Sequence, residues 1–122
     1  YNKDYIMRVF KKEIHITIIE YMNSKRIFSS LRSLSENSSI LSIALSYGFT
    51  SQEYYCEMFH HIMGVSPSDY RQFLNYSIGL PEEKVFIIQG RLAEISSFLQ
   101  NVEKYCQNIP PEKVVKVLSI FK

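Results

Sequence analysis

The sequence has 122 residues, of which 46% are hydrophobic and 21% charged, a balance that supports a folded core and excludes a disordered chain. Four Gly and four Pro are too few for an all-β protein with many turns, so the composition favours helices. The two cysteines, Cys56 and Cys106, form neither a disulfide framework nor a CxxC motif. With no apolar run of the roughly 18 residues that a membrane span needs, and no visible signal peptide, we expect a cytoplasmic protein without membrane contact.

Positive charge is concentrated near the start of the chain. The formal net charge of +2 says little about partners. Residues 1–32, however, carry seven basic side chains against three acidic ones: Lys3, Arg8, Lys11, Lys12, Lys25, Arg26 and Arg32 against Asp4, Glu13 and Glu20. Such clustering is typical of a phosphate-binding surface, although a solvated helix face is the alternative.

Two helices are predicted in the first 35 residues. Residues 2–14 form the first, with Asn2 as a candidate N-cap and an apolar stripe at helical spacing that contains Ile6, Val9 and Phe10. Thr17 and Glu20 form a capping box that opens a longer helix within residues 16–35. Its apolar side chains are Tyr21, Ile27, Phe28, Leu31 and Leu34. The polar stretch from Ser35 to Ser39 indicates a break.

Three short helices are predicted within residues 38–72. The first places Ile40, Ile43, Ala44 and Tyr47 on one side and ends at Gly48. A capping box of Thr50 and Glu53 opens the second, which directs Tyr55, Phe59 and Ile62 inward and stops at Gly64. The third begins with Ser66 as cap, Pro67 at the first helical position and Asp69 two residues later.

The last fifty residues, 73–122, predict a helical extension. Pro81 opens a helix and Pro110-Pro111 ends it, and a second apolar helix follows. An apolar stripe alternates by three and four residues along the first: Val85, Ile88, Leu92, Ile95, Leu99, Val102 and Cys106. One interpretation is a seam for an oligomer or a partner regulator through residues 82–106. The other is that the segment packs onto residues 1–72, which the added apolar width of Phe86, Ile87 and Phe98 favours.

A tight glycine-containing turn between short helices is the form of a DNA-binding helix-turn-helix, but many helical bundles share it. The stretch from Ile40 to Arg71 reads ILSIALSYGFTSQEYYCEMFHHIMGVSPSDYR. It resembles the second helix-turn-helix of the AraC/XylS family of bacterial regulators. Twelve positions match in register: Ile40, Ile43, Ala44, Gly48, Phe49, Tyr55, Phe59, Gly64, Ser66, Pro67, Tyr70 and Arg71.

Earlier residues extend the resemblance over about 1–72. The stretch from Tyr5 to Glu13 is similar to the recognition helix of the family's first unit, and the stretch from Ile16 to Arg26 is similar to the start of the linker helix. The resemblance implies an all-α fold with two helix-turn-helix units joined by that helix, the first unit truncated. Residues 1–14, 16–35 and 38–72 would be the first recognition helix, the linker and the second unit.

Several residues depart from the family pattern. The scaffold helix before the first recognition helix is absent, and the chain begins with Tyr1 rather than Met, which favours a fragment of a longer protein. His15 stands where the family usually has Gly, and Ser30 stands where Ala is usual. His60 and His61 replace a basic pair, and histidine is mostly neutral at pH 7, which weakens the expected hold on phosphate.

The resemblance also implies which side chains face double-stranded DNA. The positions matching base contacts are Asp4, Met7, Arg8, Glu53, Tyr54 and Glu57. Phosphate contacts are expected from Lys3, Lys11, Lys12, Gln52, His60 and His61. Arg8 is the strongest candidate, because a guanidinium can bond guanine through two parallel hydrogen bonds. The capping box gives Glu53 a structural role, whereas Glu57 has no such explanation.

No catalytic, metal or cofactor site is predicted. Cys56, His60 and His61 are too few for structural zinc, and no oxyanion-stabilising loop accompanies Cys56 as a nucleophile. We therefore expect a non-enzymatic, sequence-specific regulator that acts at promoters, with RNA polymerase as a candidate partner and the bacterial nucleoid as its location. The alternative is a truncated, non-DNA-binding protein that pairs with a full-length regulator through its C-terminal helix.

Overall fold

The structure, a computed structural model, describes residues 3–14, 16–75 and 79–107. Within these ranges the regular structure is entirely helical, which confirms the all-α prediction. The helices are α1 (Lys3–Ile14), α2 (Ile18–Ser30), a 3-10 helix (Leu31–Ser35), α3 (Ile40–Ser46), α4 (Gln52–Met63), α5 (Pro67–Leu74) and α6 (Glu82–Gln107). The predictions for Asn2, His15, Pro110-Pro111 and the last helix lie outside the described residues.

The chain divides into two compact units, and the first comprises Tyr1–Asn23 and Ser96–Lys122. Its described core combines aliphatic side chains with three aromatic rings. Tyr21 of α2 lies against Phe10 of α1, with ring centroids 5.8 Å apart, and against Phe98 of α6 at 6.5 Å. Both pairs have the edge-to-face geometry that aromatic rings prefer. The C-terminal helix thus supplies core surface to residues that resemble the family's first unit.

The second unit comprises Ser24–Ile95 and has a closely packed apolar core. Its largest fully buried side chains are Ile27, Leu34, Tyr55, Phe59, Met63 and Ile88. Neighbouring rings of Phe49, Tyr55, Phe59 and Tyr70 follow one another with centroids 5.1, 5.7 and 6.0 Å apart. This row of rings packs α4 against the turn before it and against α5, so α4 has a fixed orientation within the unit.

The linker helix starts as predicted but ends earlier. Thr17 Oγ1 accepts the N–H of Glu20 at 3.1 Å, which confirms the cap. The α-helix stops at Ser30 and continues as the 3-10 helix. In a continued α-helix the Leu34 carbonyl would accept from the N–H of Ser38. Here Arg71 of α5 donates to the carbonyls of both Leu34 and Ser38, at 3.0 and 2.6 Å.

The caps of the second helix-turn-helix agree with the sequence except at α4. Ser66 and Asp69 form the predicted capping box, with Pro67 opening α5. Gly48 and Gly64 have φ of 89° and 75°, the left-handed conformation expected of glycine after a helix. The Thr50–Glu53 capping box is wrong, because α4 begins one residue later. The cap is Ser51, whose hydroxyl accepts the N–H of Tyr54 at 3.1 Å.

Burial follows the predicted helix faces with four exceptions. Phe28 is 37% exposed, and Met63 rather than Ile62 is completely buried. Met63 continues the i, i+4 spacing of Tyr55 and Phe59, whereas Ile62 lies at the edge of that face. On α6, Phe86 is 64% exposed and Ile87 is 41% exposed, so neither adds the predicted width to the core.

The stripe along α6 is largely buried within the single chain. Ile88, Ile95, Leu99 and Val102 are each at most 7% exposed, and Val85 and Leu92 are half-buried. This burial favours the interpretation that α6 packs onto the rest of the chain. The boundary between residues 1–72 and 73–122 stays a prediction, since each compact unit includes part of α6.

Candidate nucleic-acid interface

One face of α1 carries most of the side chains predicted to contact DNA in the first unit. Asp4, Arg8, Lys11 and Lys12 lie at helical spacing, and all four are exposed. Met7 beside them is half-buried, and Phe10 on the opposite side is anchored in the core. Lys3 begins α1, but its side chain lies outside the described residues. The arrangement leaves three cations on a solvent-facing surface whose back is held by aromatic packing.

The exposed face of α4 carries the second predicted set. Glu53, Glu57, His60 and His61 are all exposed and share one side of the helix. Gln52 is exposed at the first helical position. Tyr54 is 37% exposed, and its ring lies 5.8 Å from that of Phe49, which limits the movement of the hydroxyl-bearing ring. These side chains project from a helix whose other side is buried.

Glu53 of α4 needs a new explanation because Thr50 is not the cap. Glu53 lies in the first turn, where a carboxylate interacts favourably with the positive end of the helix dipole. Glu57 lies one turn further on, where that interaction is weak. Helix α4 contains no Lys or Arg. A polyanion that meets this face therefore meets two carboxylates and no fixed cation from α4 itself.

Arg91 of α6 lies at the C-terminal end of α4. Its Nη1 donates to the carbonyls of His61 and Ile62, at 3.4 and 3.3 Å. The last carbonyls of a helix have no partner within it and carry partial negative charge, so a guanidinium there stabilises the helix end. Gly64 completes the end, and its N–H bonds to the His60 carbonyl at 2.8 Å.

A groove of about 510 Å³ opens beside this helix end. It is lined by His60, His61, Gly64, Phe86, Ile87, Gly90, Arg91 and Glu94. Its rim combines apolar surface from α6 with titratable and charged side chains from both helices. The predicted phosphate contacts His60 and His61 therefore share a surface with Arg91 and Glu94.

Lys84 fastens the start of α6 to α5. Its Nζ lies 2.9 Å from Oδ2 of Asp69, the residue that completes the Ser66 capping box. The hydrogen bond from Lys84, more than those from Ser66, holds the pKa of Asp69 below its usual value against the effect of burial. The ionised carboxylate therefore serves the cap of α5 and the attachment of α6 together.

The surroundings of Cys56 favour its neutral thiol. Burial, with a smaller contribution from the charge of Glu53, raises the pKa of its thiol. The reactive thiolate is thereby disfavoured near neutral pH.

Within the described ranges no cluster of three or more His, Cys, Asp or Glu side chains could hold a metal ion. No helix in these ranges is long and apolar enough to cross a membrane.

The sequence did not reveal the roles of Arg91, Lys84 and Ser30. Arg91 reaches carbonyls 29 and 30 residues earlier, and Lys84 reaches a carboxylate 15 residues earlier. Ser30 bonds Tyr55, 25 residues later. Local periodicity carries no information at such separations. The one signal in the sequence was the replacement of the usual Ala by Ser30, which indicated a mild change but not its partner.

Comparison with known proteins identifies the family. Residues 1–72 match a family model described as a helix-turn-helix domain. The HTH-type transcriptional activator AarP of Providencia stuartii is 36% identical over 72 residues, which cover 58% of this chain and 53% of AarP. The transcriptional regulatory protein HptR of Staphylococcus aureus is 36% identical over 69 residues, covering 57% of this chain and 27% of HptR.

The transposon Tn10 TetD protein of Escherichia coli is 37% identical over 73 residues, which cover 59% of this chain and 53% of TetD. The chain thus spans about half the length of AarP and TetD and about a quarter of HptR. No solved structure matches it. The matched region contains α1 to α4, most of α5 and both predicted recognition helices. Through residues 1–72, the chain belongs to the AraC/XylS family of helix-turn-helix transcription regulators.

Proposed function

We propose that the chain regulates transcription by placing the exposed faces of α1 and α4 in DNA major grooves at a promoter. The observation that carries the proposal is the face of α1, where Arg8, Lys11 and Lys12 project into solvent opposite the buried ring of Phe10. A helix with one face anchored in a core and a cationic face exposed fits the major groove, which is about 12 Å wide.

The side chains on the two helices have different proposed roles. Arg8 would read guanine through O6 and N7, while Asp4 and Met7 contact neighbouring base edges. On α4, Tyr54 and Glu57 would contact bases, with Glu57 able to accept from the amino group of cytosine. Glu53, which directly precedes Tyr54, would contact a base edge as well. Phosphate contacts would come from Lys3, Lys11, Lys12, Gln52, His60 and His61.

The proposed wider activity is supported by the relatives rather than by the geometry. AarP is named a transcriptional activator, and HptR a transcriptional regulatory protein. By analogy, the promoter-bound chain would influence RNA polymerase in the bacterial cytoplasm, at the nucleoid, without catalysing a reaction. The rival interpretation, a partner-binding protein that does not bind DNA, is not favoured, because the stripe on α6 that would form its seam is mostly buried.

The proposal is tested by salt-dependent binding to a duplex of mixed sequence. The logarithm of affinity falls with the logarithm of salt concentration, and each lost phosphate contact reduces the steepness of that fall by about 0.9. Lys11→Ala with Lys12→Ala should flatten the slope by about 1.8, whereas Lys104→Ala, an exposed lysine on α6, should leave it unchanged. An identical slope for the double variant and the parent would remove this face from the interface.

Specificity needs a separate experiment. Arg8→Ala should cost about 1–3 kcal/mol at one preferred base pair and relax the choice of base there. Selection from randomised duplexes would reveal this as one weakened position in the preferred sequence. If the preferred sequence of the variant matches that of the parent at every position, Arg8 does not read bases.

A further inference from the structure

We infer that Arg91, which lies outside the region shared with the family, contributes a phosphate contact to the DNA interface of the second helix-turn-helix. The inference rests on the proposed function, because it requires α4 to lie in a major groove. It adds a residue of the C-terminal helix to an interface otherwise drawn from residues 1–72.

The second helix-turn-helix lacks cations for a DNA-binding surface. Residues 40–74 contain three acidic side chains and one basic one: Glu53, Glu57 and Asp69 against Arg71. Arg71 is half-buried, and its Nε and Nη2 are bonded to the carbonyls of Leu34 and Ser38. His60 and His61 carry a charge only when protonated. A surface with this balance of charge would repel phosphate unless another segment supplied positive charge.

Arg91 supplies that charge at the appropriate end of α4. The helix has 12 residues and is about 18 Å long, longer than the roughly 12 Å width of the major groove. If its N-terminal residues contact base edges, as recognition helices generally do, its C-terminal end lies near the phosphates that border the groove. His61 and Ile62, whose carbonyls Arg91 bonds, belong to that end.

The remaining donors of Arg91 can reach a ligand. A guanidinium has five N–H donors, and Nη1 uses two on the helix carbonyls. Among the described residues, Nε and Nη2 form no hydrogen bond, and Arg91 forms no ion pair with Glu94 three residues further on. The side chain is half-exposed and borders the groove that His60 and His61 also line. It can therefore neutralise the helix end and contact a phosphate together.

The experiment uses the full chain, a mixed-sequence duplex of about two helical turns and salt between about 50 and 200 mM. Arg91→Gln should lower the salt slope by about 0.9 and weaken binding at about 0.1 M salt by about 5- to 10-fold. Arg91→Lys keeps the charge and should retain the slope. The control is Lys84→Gln, which also removes one positive charge from α6 and loosens the attachment of α6 to α5. It should leave the slope unchanged.

A capping role alone predicts a different result. In that case Arg91→Gln would lower the melting temperature in circular dichroism and leave the salt slope intact, which would overturn the inference. An equal change of slope in Lys84→Gln would also overturn it, because it would show a general charge effect. Should Arg91→Gln fail to fold, Glu94→Lys keeps the cap and adds a cation to the groove. That variant should steepen the slope, and an unchanged slope would contradict the inference.

Gln52→Ala separates this inference from the proposed function. Gln52 is exposed at the first position of α4, at the opposite end of that helix from the carbonyls that Arg91 bonds. Weaker binding by Gln52→Ala with no effect of Arg91→Gln would place α4 at the DNA without Arg91. No effect of either variant would instead contradict the assignment of α4 to a groove.

Discussion

The hydroxyl of Tyr55 donates a hydrogen bond to Oγ of Ser30, 2.8 Å away, and so joins α4 to the linker helix α2. The direction follows because Ser30 directs its single proton at the carbonyl of Ile27, at 2.7 Å. Both side chains are fully buried. Burial, more than any other cause, raises the pKa of Tyr55 to about 12 although Ser30 acts in the opposite sense. Tyr55 therefore remains a donor throughout the physiological pH range.

The first prediction concerns this pair. Ser30→Ala leaves a buried hydroxyl without an acceptor and should lower the free energy of unfolding by about 1–3 kcal/mol. Tyr55→Phe removes only the donor and should cost about 0.5–1.5 kcal/mol. Urea unfolding should show that the double variant loses less unfolding free energy than the two single variants lose together, because neither polar group is then left unpaired. Additive losses would mean that the two hydroxyls do not interact.

Two glycines near the groove should respond oppositely to alanine. At Gly64, φ is +75° and a Cβ atom would lie 2.6 Å from Cγ2 of Ile87. Gly64→Ala should therefore destabilise the protein by about 1–3 kcal/mol. Gly90 lies inside α6, and a Cβ atom there would meet nothing within 4 Å. Gly90→Ala should accordingly stabilise the protein by about 0.5–1 kcal/mol.

Ile87→Ala provides the control for the steric part of that effect. Because it removes Cγ2, Gly64→Ala should cost less in this background, and the remaining loss should reflect the left-handed backbone. Thermal unfolding of the single and double variants measures both contributions. An equal cost in both backgrounds would show that Ile87 does not approach Gly64 in solution.

Asp69 should make stability depend on pH. Its pKa is lower in the folded state, chiefly because of Lys84, so its contribution is complete above about pH 4, where unfolded aspartate is ionised. The contribution disappears as the pH falls through the folded pKa. We expect Asp69→Asn to cost about 0.5–1 kcal/mol at neutral pH and progressively less below about pH 4.

Lys84→Gln tests the cause of this dependence. In that background Asp69→Asn should cost less at neutral pH than it does in the parent, since the main partner of the carboxylate is gone. Urea unfolding of the four proteins at neutral, mildly acidic and strongly acidic pH provides the measurement. A cost of Asp69→Asn that is the same in both backgrounds, or constant over this pH range, would contradict the assignment.

The stripe on α6 gives a prediction about assembly. Leu99 is 7% exposed, so Leu99→Lys buries an unpaired charge and should unfold the chain, a cost of several kcal/mol. Leu92→Lys, at a half-buried position, should add to that loss. Phe86→Lys, at a side chain 64% exposed, should be tolerated. Sedimentation and circular dichroism of the Leu92→Lys, Leu99→Lys double variant provide the measurement. If the stripe were an intermolecular seam, the parent would be a dimer and this variant a folded monomer.

Local chemistry explains which features the sequence predicted. The box of Ser66, Pro67 and Asp69 and the glycine at position 64 specify a helix start and a helix end within a few residues, and both appear as expected. The cap of α4 was misplaced by one residue because Thr50 and Ser51 are chemically equivalent caps. The capping pattern does not encode the length of the turn after Gly48, so it cannot choose between the two residues.

Long-range contacts account for the rest. Arg71 bonds the Leu34 carbonyl at the end of the 3-10 helix, and Arg91 bonds the last carbonyls of α4. Phe86 and Phe98 look alike in the sequence pattern, yet one is exposed and the other packs against Tyr21. Apart from half-buried Met7, the predicted contact residues whose side chains are described lie on exposed faces of α1 and α4, because helical spacing determines which residues share a face. Their contact with DNA stays a prediction.

The two bonds of Arg71 span 33 and 37 residues of chain. During synthesis on a ribosome, the linker helix would emerge well before the arginine that donates to the carbonyls at its end. Until α5 has formed and docked, Leu34 lacks this donor, and the end of the linker can extend or fray. The end of the linker helix can therefore gain these two bonds only after α5 has been synthesised and has docked.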